Sequence, residues 1–63
     1  MGAKLMKYID FVGENGGLPA KMRLAMLTNI PSAKAEAEPD SPENIEKFKK
    51  AVKEVTGLTP PDF

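Results

Sequence analysis

The chain has 63 residues, with nine basic against nine acidic side chains and neither cysteine nor histidine. That length makes one domain, and a domain this small buries only about 60% of the surface its unfolded chain exposes. Disulfides and thiolate metal sites are excluded, the usual imidazole ligand and base is missing, and helix packing or oligomerisation is left to compensate for size.

The balanced charge conceals segregation. Lys4, Lys7, Lys21, Arg23 and Lys34 stand against only Asp10 and Glu14. Glu36, Glu38, Asp40, Glu43 and Glu46 then follow without a base, and Lys47, Lys49, Lys50 and Lys53 come close behind. This mild dipolar pattern can orient a partner. No apolar run reaches membrane-spanning length. The N-terminal residues lack the apolar core and cleavage site of a secretory signal, and Met6 stands where a myristoylation motif needs Ser or Thr. These features lead us to expect a cytoplasmic protein with no membrane partner.

The first predicted helix runs from about Ala3 to Val12. Leu5, Ile9 and Val12 share a face, Tyr8 lies beside them, and Met6 and Phe11 flank the stripe. Gly13 and Asn15-Gly16-Gly17 are its expected stop, since glycine takes the left-handed cap conformation without steric cost. The flanks of Asn15-Gly16 do not alternate, which argues against a hairpin.

The second predicted helix starts at Pro19, tolerated in a first turn. It ends near Asn29, because Pro31 disfavours helical backbone at Ile30. Met22, Met26 and Ile30 form one line, while Leu24 and Leu27 carry the apolar arc far around the cylinder. The expected inward side is the Met22–Met26 line. Leu24, with Leu27 and Phe11, is then the candidate surface for a protein partner or a second copy.

Ser32–Glu38 contains good helix formers with Ser32 as a possible cap, but its only apolar residues are alanines; it predicts a helical turn or two, or an ordered connector. The third helix has the clearest punctuation. Asp40-Ser41-Pro42-Glu43 supplies a cap, a first-turn proline and a first-turn acid. Ile45, Phe48, Ala51, Val52 and Val55 form its stripe, and Glu43–Lys47 and Glu46–Lys50 are spaced for surface pairs. Gly57 ends it, with Leu58 placed to fold back. Residues 59–63 read as an extended tail, with a frayed end favoured over a docked Phe63.

The predicted fold is all-α: a small three-helix bundle over residues 1–63, with room for a short fourth helical turn between helices two and three. Its expected core is Leu5, Ile9, Val12, Leu18, Met22, Met26, Leu27, Ile45, Phe48, Val52 and Val55.

Little in the chain carries catalytic chemistry. Nucleophile–base pairs of the usual kinds need Cys or His. The acids from Glu36 to Glu43 have nothing apolar around them to separate their pKa values. Pro39 and Pro42 interrupt any calcium loop there, and its central glycine is missing. Gly13–Gly17 resembles a phosphate-cradling loop only superficially, since it follows a helix and lacks the Lys-Ser/Thr pair. No catalytic residue, cofactor site or metal site is assigned, and an enzyme is not expected.

A helix-turn-helix comparison fails on the second helix, where Lys21, Arg23, Thr28 and Asn29 are outweighed by apolar residues. The lysines Lys47, Lys49, Lys50 and Lys53 are the better basic patch, although no aromatic platform accompanies them. The expected function is therefore a non-catalytic interaction module, self-associating or docking on a protein partner through helix two. The alternative is a small nucleic-acid-binding accessory protein using the helix-three lysines.

Overall fold

A computed structural model of the protein describes residues 2–63. It contains α1 (Ala3–Thr28), α2 (Ser32–Ala35) and α3 (Pro42–Thr56), with no strand among the described residues. The fold is a small all-α bundle. α1 is not one rod: Gly17, at φ 73° and ψ −166°, breaks it into arms 3–16 and 18–28. Those dihedrals lie in a region essentially reserved for glycine. The two arms and α3 are the bundle's three long pieces, and α2 is the short fourth turn.

The first arm runs past its expected stop at Val12, because only Gly17 of the five residues from Gly13 to Gly17 leaves the helical conformation. Glycine inside a helix costs about 1 kcal/mol against alanine, which weakens a helix without ending it. Gly13 stays helical beneath a neighbouring side chain. The Lys21 side chain crosses it, and a Cβ there would lie 2.5 Å from Lys21 Cε. The second arm continues to Thr28 and ends on Asn29 at φ 60°, the left-handed cap that its sequence position predicts.

The core comes from one face of each piece. Leu5, Tyr8, Ile9 and Val12 of the first arm, Ala20 and Leu24 of the second, and Phe48, Ala51 and Val52 of α3 are buried, together with Ile30 and Ala35. Met6, Phe11, Ile45, Val55 and Phe63 pack against them partly buried. Burying each large aliphatic or aromatic side chain contributes about 1.5–3 kcal/mol. Leu18, Met22, Met26 and Leu27 are not part of this core, contrary to expectation.

The acidic connector closes the bundle. Both carboxylate oxygens of Asp40 reach the start of α1: Lys4 N donates to Oδ2 at 3.2 Å and Leu5 N to Oδ1 at 3.3 Å. Gly2, the residue before α1, brings no capping side chain of its own. Ser41 caps α3, its Oγ accepting from Asn44 N at 3.2 Å, and Pro42 opens that helix. Thus Asp40 and Ser41, neighbours in sequence, cap two different helices.

Ser32 is the first residue of α2, and the cap position falls to Pro31. Ala35 is fully buried beneath Gly2, whose N–H donates to the Glu36 carbonyl at 3.0 Å. A side chain on Gly2 would run into the Ala35 carbonyl. The connector is therefore anchored on the bundle through Ala35, while Ser32, Ala33, Lys34, Glu36 and Ala37 stay exposed.

Gly57 ends α3 at φ 74°. Leu58 does not fold back but stays exposed, its N–H donating to Thr56 Oγ1 at 3.1 Å. The tail has no regular structure, yet it is not frayed. Pro60 is buried, and the Phe63 ring meets Tyr8 edge-on at 4.9 Å and Phe11 at 6.2 Å.

Candidate interaction surface

The second arm of α1 is apolar on two sides, and the bundle covers one of them. The covered side is Ala20, Leu24 and Thr28, three residues at i, i+4 spacing. Two of the three are small. Thr28 satisfies its own polarity: its hydroxyl donates to the Leu24 carbonyl at 2.8 Å and accepts from Ile30 N at 3.3 Å. A threonine so bonded takes a core position at little cost.

The other side carries Leu18, Met22 and Met26, also one turn apart, exposed to 69, 61 and 81%. This inverts the expected rotation. Leu24 is 1% exposed and cannot meet a partner, while the line assigned to the core faces outward. The premise that one small core cannot cover both sides holds. The covered side is the one with small residues, because those let two helices approach.

Of the other candidates, Leu27 is exposed to 54%, as a contact residue must be. Phe11 is half-buried and engaged with Phe63. Ile30 leaves the predicted line altogether, since it follows the Asn29 cap and is buried. The missed residues are Leu18, Met22 and Met26. The signal that could have found them is the small-residue pattern Ala20–Leu24–Thr28 on the opposite face.

Leu27 looks into a shallow concavity of about 310 Å³ between the second arm and α3, lined also by Ala51, Lys47, Lys50 and Glu54. At about 100° per residue, Arg23 stands on the helix between the Met22–Met26 line and Leu27. Lys21 sits on the other flank, its stem over Gly13. The Leu18–Met22–Met26 line thus has one basic residue on each side, Arg23 separating it from Leu27, with Asp10 and Glu14 near its Leu18 end.

Three of the α3 lysines, Lys49, Lys50 and Lys53, line a hollow beside the tail residues Thr59, Pro60 and Asp62. Lys47 and Lys50 border the Leu27 concavity, whereas Lys49 pairs with Asp62 of the tail at 3.5 Å. That pair is the sole salt bridge among the described residues, so Glu43–Lys47 and Glu46–Lys50 are not closed as the spacing predicts. Exposed pairs gain little energy against side-chain entropy, which leaves them open.

A second hollow lies in the elbow at Gly17, lined by Asp10, Gly13, Glu14, Leu18 and Lys21. No group of three or more metal-ligating side chains occurs among the described residues, and no helix there is long and apolar enough to cross a membrane. Burial pushes the Tyr8 phenol above the ordinary range, Lys49 opposes the shift, and Asp62 and Glu46 add to it. Comparison with protein-family models, with curated proteins and with solved structures returns no match.

Proposed function

We propose that this chain is a non-catalytic protein-interaction module, working in the cytoplasm, that docks through the second arm of α1. One observation carries the reading: Leu18, Met22 and Met26 form a continuous exposed line while the same helix buries its smaller face. Scattered exposed apolar residues are normal on a small protein, but an aligned set marks a contact surface. Methionine suits such a surface because its flexible, polarisable side chain adapts to a partner's shape.

Site-specific photo-crosslinking tests this. A photoreactive residue replacing Met26 should give a discrete adduct in the producing cell, with a second copy or another protein. The same residue replacing the exposed Glu43 of α3 should give none. Absence of any adduct from position 26, together with a mass that stays monomeric as concentration rises, overturns the reading.

A further inference from the structure

We infer that the occupant of this surface is an acidic amphipathic helix of another protein, a proposal that rests on the interaction reading above. Charge decides between the candidate occupants. The second arm carries Lys21 and Arg23 and no acid, and the acids nearest its exposed line, Asp10 and Glu14, border only the Leu18 end at the elbow. Lys21 and Arg23 flank the Leu18–Met22–Met26 line on opposite sides, and Lys47 and Lys50 border the adjoining Leu27 concavity, with Glu54 as its one acid.

A second copy fits this pattern poorly. Two arms packed antiparallel about Met22 set each flank against its own copy, Lys21 beside Lys21 and Arg23 beside Arg23, and a parallel pairing sets Lys21 of one copy against Arg23 of the other. Like charges facing across an interface cost binding energy, whereas opposite charges lower it and steer encounter. A helix whose apolar stripe meets Leu18, Met22 and Met26, with Glu or Asp beside that stripe, pairs with Arg23 on the arm and with Lys47 and Lys50 across the concavity. That is helix-in-groove recognition, with apolar anchors one turn apart.

An anionic membrane is the weaker match. The exposed line, Leu18, Met22 and Met26, has no aromatic anchor of the kind interfacial helices carry.

The test is an amide chemical-shift titration of the isotope-labelled chain. One probe is a short helical peptide with leucines on one face and glutamates elsewhere. The control is the same peptide with lysines for the glutamates. The expected result is shifts centred on residues 18–27, with roughly tenfold tighter binding of the acidic probe that weakens as salt is raised. Met26→Glu should abolish this binding and Arg23→Glu should reduce it several-fold; both positions are exposed, so both variants keep the fold.

Equal affinity for the two probes overturns the inference. So does dimerisation through Met26, or binding to phosphatidylglycerol vesicles, without a preference for the acidic probe. The dimer leaves the interaction reading standing. Failure of both probes combined with no adduct from position 26 removes the reading as well.

Discussion

Asp40 and Leu5 are thirty-five residues apart and joined by a hydrogen bond of 3.3 Å from the Leu5 amide to the Asp40 carboxylate. With the companion bond from Lys4 N, it satisfies two of the amides that a helix start leaves without partners. It also sets a negative charge against the positive end of the α1 dipole. The cap is therefore a tertiary contact, holding the connector after α2 to the start of α1 while Ser41 starts α3 beside it.

Replacing Asp40 by Ala should lower stability by about 1 kcal/mol, the usual worth of an N-cap. In a chain of this size that is about 4–8 °C in melting temperature. Asp40→Asn should fall between, keeping an acceptor and losing the charge. Denaturant unfolding with unchanged m-value checks this, and an Asp40→Ala variant as stable as the parent would show that the carboxylate is not capping α1.

The five glycines separate into different roles, and substitution should expose them. Gly17→Ala forces a side chain into a backbone region that only glycine occupies and should cost about 1–3 kcal/mol. Gly13 is helical, and its added Cβ meets the far end of the Lys21 chain, which can move aside. Gly13→Ala should therefore be neutral or stabilising by up to about 1 kcal/mol. Equal losses at both positions in thermal unfolding would contradict a single break at Gly17.

The same elbow explains what the sequence could and could not reveal. The Asn29 and Gly57 caps and the Ser41–Pro42 start are local signals, and each lies where residue chemistry places it, whereas the first arm outruns its expected stop because Gly13 and Asn15-Gly16 stay helical. The faces of the first arm and of α3 were also legible, because each has one dominant apolar stripe. The second arm has two, and its rotation depends on the dihedrals of Gly17, which no neighbouring residue type encodes. Counting apolar bulk favoured Met22 and Met26; packing selected Leu24, since Ala20 and Thr28 beside it allow close approach. The Asp40 cap and the Ala35 seat were invisible for another reason. Both are contacts between segments more than thirty residues apart.

The rotation is itself testable. Leu24→Ala should cost about 2–5 kcal/mol, the range for truncating a buried leucine. Met26→Ala should change stability by less than about 0.5 kcal/mol, as exposed substitutions do. Chemical denaturation of the two variants side by side decides the matter, and a large loss at Met26 with little at Leu24 would turn the arm back to the orientation expected from apolar bulk.

Tyr8 links the core to alkaline stability. Its ring is buried against Phe48 at 6.3 Å and Phe63 at 4.9 Å, and burial holds its phenol above the ordinary tyrosine value of 10.0. Below that value the phenol is protonated whether the chain is folded or not, so its contribution to stability is fully present. As pH rises past 10.0, the unfolded chain releases its proton first. The folded state then binds more protons than the unfolded one, and stability falls with pH until the folded phenol also ionises. Lysines titrate in the same range, so the informative quantity is a difference between variants. Tyr8→Phe keeps the ring and removes the titration; its unfolding free energy should decline less steeply than the parent's above about pH 10. Phe63→Ala, which opens one side of the Tyr8 ring to water, should bring the parent's slope towards that of Tyr8→Phe. If the parent and Tyr8→Phe decline in parallel, the phenol is solvated in the folded state and the docked tail does not bury it.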